Sequence, residues 1–79
     1  MSRDTLTSFA DAVLQQILEA GTAILEDNFV VSLPAYLDAA EVRLLQTEVN
    51  RRSVTHIELQ HRPGERRVGV RLVASRPRW

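Results

Sequence analysis

Four arginines bracket one Pro-Gly step: Arg62 before Pro63-Gly64, then Arg66 and Arg67, and further on Arg71, with His61 alongside. A guanidinium is planar and permanently charged. Its fork of N–H donors matches a carboxylate or a phosphate two bonds at a time. A cluster of this kind on one loop suits gripping an acidic protein surface or a phosphate backbone. Two features weigh against nucleic acid. The formal net charge of the 79-residue chain is zero, and no aromatic residue interleaves the arginines as a stacking platform for bases.

The opposite charge gathers at the other end. Residues 1–50 hold eight acids against Arg3 and Arg43, and residues 51–79 hold eight arginines against Glu58 and Glu65; Lys is absent. Asp11, Glu19 and Glu26 are spaced to share the polar half of one helix, a surface that would meet a basic partner. Nucleic-acid-handling complexes display basic channels, and an acidic helix can occupy one as a phosphate mimic.

Catalytic chemistry has little to work with. There is no cysteine, so no disulfide, thiolate nucleophile or thiolate metal site, and two histidines make a poor ligand set. No serine stands in a nucleophile motif, and neither a glycine-rich phosphate loop nor an HExxH pattern occurs. The expectation is a protein that is not an enzyme and holds no cofactor or metal.

The elements that must position these charges follow from periodicity. From 8 to 26, Ala10, Val13, Leu14, Ile17, Leu18, Gly21, Ile24 and Leu25 recur at three- and four-residue spacing, continuing from Leu6, and predict an amphipathic helix. Ser8 with Asp11 reads as its cap. Gly21 leaves a second possibility, in which the helix ends early and Thr22–Leu33 forms a hairpin turning at Asp27-Asn28. The run 29–33 predicts a short strand closed by Pro34. Asp38 with Glu41 predicts a capping box, Leu37 and Val42 a hydrophobic staple, and Val42, Leu45 and Val49 the core stripe of a second helix. Leu44 points the opposite way.

Thr55, Ile57 and Leu59, then Val68, Val70, Leu72 and Ala74, alternate with polar or small residues on either side of Pro63-Gly64 and predict a hairpin. Centring the turn on Pro63-Gly64 pairs Ile57 with Val70, Leu59 with Val68 and His56 with Arg71, through a loop of about four residues. The fold class expected is α+β in the order α-β-α-β-β. It has a three-stranded antiparallel sheet, the last strand central, and two helices packed on one face. One domain spans 1–79, with 1–5 and 75–79 frayed.

A winged helix-turn-helix has a compatible order, with Arg43, Thr47, Asn50 and Arg51 facing a major groove. It lacks one helix between strand and hairpin, and Glu41 and Glu48 would oppose phosphates. The first helix carries a wider apolar stripe than a small sheet needs. Phe9, Val13, Ile17 and Ile24, with Leu44, are therefore the candidate seal of a homodimer, the supplement a core this small calls for. No apolar run reaches the length of a membrane span, and no signal-type segment opens the chain, so a cytoplasmic protein is expected.

The function expected is a non-enzymatic binding protein or inhibitor that masks a surface of a larger protein, with a nucleic-acid-handling complex as one such partner. Asp11, Glu19 and Glu26 are its first candidate surface. The Arg62, Arg66, Arg67 and Arg71 hairpin is the second, and direct nucleic-acid binding through it is the alternative. In size and class the chain is similar to phage-encoded inhibitors, anti-CRISPR proteins among them; that analogy carries no residue over.

Overall fold

The computed structural model describes residues 1–73, so the frayed tail expected at 75–79 lies outside the described residues. Helix α1 spans Arg3–Ala20, strand β1 Val30–Ser32, helix α2 Ala39–Arg52, strand β2 His56–His61 and strand β3 Arg67–Val73. A 3₁₀ turn, Gly21–Leu25, follows α1. The sheet order is β1-β3-β2, antiparallel throughout, as the sequence predicts. Helix α1 packs over β1, α2 packs over β2, and the two helices touch each other. Between helices and sheet lies one core of Phe9, Ala10, Val13, Ile24, Val31, Leu33, Leu37, Val42, Leu45, Val49, Ile57, Leu59, Val68 and Val70.

Helix α2 forms as its sequence dictates. Asp38 Oδ1 accepts from Glu41 N–H at 2.8 Å, and Glu41 Oε1 accepts from Asp38 N–H at 3.1 Å, which completes the capping box. Leu37 and Val42 flank the cap and are both buried, and Val42, Leu45 and Val49 form the buried stripe.

Helix α1 differs from expectation at both ends. Its cap is Ser2, whose Oγ accepts from Thr5 N–H at 3.1 Å, and Ser8 is an exposed interior residue. Arg3–Thr5 are helical rather than frayed, because Leu6 and Phe9 extend the apolar stripe towards the N-terminus and pack on the core. The α-helix then stops at Gly21, with φ +59° and ψ −124°, a conformation closed to residues with a Cβ. The following turn is helical, so the hairpin alternative does not form; it rotates Ile24 into the core and leaves Leu18 78% and Leu25 71% exposed. A stripe that stays in phase through Gly21 is therefore only partly buried.

The hairpin register is displaced by two residues from the one predicted. Ile57 faces Leu72, Leu59 faces Val70, Glu58 faces Arg71 and His56 faces Val73. A slip of two preserves which face each side chain points to, so apolar alternation fits both registers equally well. What decides it is the loop over 62–66: Glu65 N–H donates to Arg62 C=O at 3.1 Å, Gly64 takes φ +79°, and Pro63-Gly64 form a type II turn ahead of two further residues.

Both outer strands are closed by side-chain amides from the helices. Gln16 on α1 accepts from Ser32 N–H (2.8 Å) and donates to Ser32 C=O (2.7 Å), as a neighbouring strand would. Asn50 on α2 does the same to Ile57, at 2.6 and 2.8 Å, and Gln46 accepts from Leu59 N–H at 2.9 Å. These contacts obstruct pairing along part of each outer edge.

Candidate binding face

The residues placed at a dimer seal turn out to belong to the monomer. Phe9, Val13 and Ile24 are in the core and Ile17 is half-buried against it, because the sheet and α2 together cover most of the α1 stripe. Of the five, only Leu44 is exposed, at 52%. The groove-reading set dissolves for a similar reason. Asn50 is spent on the β2 backbone and Arg51 on Glu48, which leaves Arg43 and Thr47 on the exposed side of α2.

The acidic helix face is also broken up. Asp11 accepts a 2.5 Å hydrogen bond from Arg52, and Arg52 and Arg51 both clasp Glu48, at 3.0 and 2.8 Å. Glu19 is exposed and bonded by Gln15 at 3.0 Å, and Glu26 lies beyond the break at Gly21, off the helix. The charge split of the sequence thus closes on itself where α1 meets the end of α2.

Glu48 is nearly buried in this network. The hydrogen bond from Arg51 holds its carboxyl below the ordinary 4.5; burial opposes this, and the bond from Arg52 adds to it. A carboxyl depressed by folding stabilises the fold above its unfolded value, and that contribution drains away as pH falls through the folded value. In urea titrations at stepped pH, stability should fall below roughly pH 4.5 in the wild type and fall less steeply in Glu48→Gln. Identical profiles would show that the network adds nothing to acid sensitivity.

At the hairpin, one acid organises two arginines. Glu65 accepts from Arg62 Nε at 3.3 Å and from Arg67 Nε and Nη2 at 3.1 and 2.6 Å. The bonds from Arg67, then Arg62, hold its carboxyl below the ordinary range against a small opposing effect of burial. Arg62 and Arg67 are thereby partly neutralised and fixed in place. Among the described residues, Arg66 and Arg71 have no carboxylate within ion-pairing distance, although Glu58 stands opposite Arg71 in the ladder. The arginine cluster expected from the sequence is therefore divided: Arg62, Arg66 and Arg67 stand at the hairpin turn, Arg71 lies farther along β3 beside the trough, and Arg66 and Arg71 carry most of the free charge.

Among the described residues no element covers the sheet face opposite the helices. On it lie Arg67, Gly69 and Arg71 of β3 between Glu58 and Gln60 of β2 and Val30 and Ser32 of β1. A trough of about 470 Å³ opens beside β3, bounded by Leu25–Phe29 on one wall and by Gln60, Arg62 and Arg71 on the other. Gly69 forms its floor, and a Cβ there would meet Gln60 Oε1 at 3.1 Å. The trough, the Glu65 clasp and the amide seals are absent from the sequence reading. Polar Gln46 and Asn50 beside the Val42–Leu45–Val49 stripe, and Gln16 between Val13 and Ile17, were the available signal. An amide on a buried face needs partners there.

Among the described residues no three His, Cys, Asp or Glu side chains gather where a metal would sit, and no helix is long and apolar enough to cross a membrane. His56 is exposed opposite Val73, and His61 meets Tyr36 edge-on with ring centres 6.1 Å apart. The fold defines the chain as a small α+β domain with a helix-covered sheet and one bare face. Comparison with known proteins returns no matching family model, no similar curated protein and no similar solved structure.

Proposed function

We propose that this chain is a non-enzymatic, cytoplasmic binding protein that masks a surface of a larger protein, and that it does so with the hairpin end and bare face of its sheet. The observation that carries this reading is the interleaving of charge there. Among the described residues Arg66 and Arg71 have no carboxylate within ion-pairing distance, while Glu58, Glu65, Glu26 and Asp27 stand among or beside the arginines. A surface of mixed sign complements another folded protein surface and discourages a polyphosphate, whose every unit repels the acids. The acidic helix face supports the reading less, since Asp11 is tied to Arg52 and Glu26 has left the helix. An inhibitor of phage type acting on a nucleic-acid-handling complex is one form such a protein takes.

The test is capture from a nuclease-treated lysate. Wild-type protein should retain a protein partner, and Arg66→Gln/Arg71→Gln should lose at least about tenfold in affinity, the equivalent of ~1.4 kcal/mol. In parallel, a labelled DNA duplex should show no binding at low salt. Duplex binding that falls steeply as salt rises would assign the hairpin to nucleic acid instead.

A further inference from the structure

The central strand outruns its neighbour on one side. β1 pairs with β3 only over Arg67–Gly69; one residue beyond, Phe29 C=O accepts from Val70 N–H at 2.9 Å, while Phe29 N–H turns back to Glu26 C=O at 3.4 Å. On the other side, Asn50 holds both backbone groups of Ile57, so Ile57 and Leu72 face each other without exchanging bonds. The Leu72 N–H and C=O, and the Val70 C=O, therefore point to the side where β1 has ended. Among the described residues none of the three has a partner. Elsewhere in the sheet Gln16 meets both outward backbone groups of Ser32, Asn50 both of Ile57, and Gln46 the N–H of Leu59, whereas Val30 and His61 face outward with no such amide among the described residues. Among the described residues no strand takes the notch beside 70–72 on this flank of β3; the 3₁₀ turn Gly21–Leu25 packs against β3, and the trough lies between that segment and Val70–Leu72.

We propose that this notch is a strand-addition site for an extended segment of the partner protein, running parallel to β3 and carrying an acidic residue followed by an apolar one. The proposal rests on the reading that the chain binds a protein. The direction follows from which groups are free. An antiparallel segment reaching Val70 would need its N–H, which Phe29 already occupies. In a parallel ladder one residue donates to Val70 C=O and accepts from Leu72 N–H, and the next but one donates to Leu72 C=O, so all three groups are used. The first of these residues lies beside Arg71 and shares its face, where Arg71 and Arg62 line the trough and select a carboxylate. Its successor shares the face of Leu72, where Ile24 and the exposed Leu25 select an apolar side chain. Glu26 and Asp27, which also line the trough, exclude a polyanion. The volume of about 470 Å³ falls inside the roughly 300–1,000 Å³ of ligand clefts.

The experiment is panning of the full-length protein against a displayed library of random dodecapeptides, followed by amide exchange measured by NMR with a recovered peptide. Recovered sequences should share Asp or Glu followed by an apolar residue. Saturating peptide should slow exchange at Leu72 by at least ~tenfold. Leu25→Glu, a change at an exposed site, should abolish peptide binding. Absence of enriched peptides, a different consensus, or unchanged Leu72 exchange in the bound state overturns the proposal. Partner capture that depends on Arg66, which lies outside the notch, together with unchanged Leu72 exchange, would leave the broader function standing while removing this site.

Discussion

Leu45→Ala should lose about 3–4 kcal/mol, a large share of the roughly 4–12 kcal/mol expected for a chain of this length. Leu45 is fully enclosed on the core stripe of α2, between the helix pair and the sheet. Truncating it removes apolar burial and leaves a cavity that such a small core cannot refill from elsewhere. Urea unfolding followed by far-UV circular dichroism measures the loss. A change below about 1 kcal/mol would mean that the helix pair collapses onto the site.

The second large effect comes from a polar residue. Asn50→Ala removes both partners of Ile57 at once and should cost about 2–3 kcal/mol, since a half-buried N–H and C=O lose their bonds together. Asn50→Asp should be no better, because its second oxygen would face the Ile57 carbonyl where an amide N–H now donates. Both variants also uncover the β2 edge, and light scattering should show growing mass with concentration. Variants within about 0.5 kcal/mol of wild type, monomeric at all concentrations, would remove the edge-sealing role from Asn50.

What the sequence discloses about this fold is what local pattern encodes. The Asp38–Glu41 box, the Val42–Leu45–Val49 stripe and the strand alternation each depend on residues within a turn or a pleat of one another. The strand order follows from short connections and pairing rules. The helix break at Gly21 is half legible: glycine marks a possible stop, the apolar phase runs through it, and the backbone at φ +59° decides between them. The hairpin register escapes because a two-residue slip keeps every side chain on its face.

The candidate site was half legible. Arg62, Arg66 and Arg67 do gather at the hairpin turn, as their spacing around Pro63-Gly64 implies, while Arg71 lies farther along β3, and composition is silent on Glu65 taking two of them. The Asp11–Arg52 contact joins residues on different helices, so the apparent bipolarity of the chain concealed an ion-pair network. The notch beside β3 depends on where β1 stops relative to β3, which is a difference in strand lengths and not a motif.

The proposed recognition surface is the arginine side of the sheet and not the acidic face of α1. Affinity for the captured partner, measured by calorimetry, should fall at least about tenfold in Arg66→Gln/Arg71→Gln and change less than about twofold in Asp11→Asn/Glu19→Gln, with both variants folded. The reverse ranking, with the acidic pair carrying the loss and the arginine pair binding as wild type, would contradict the account and return the binding surface to α1.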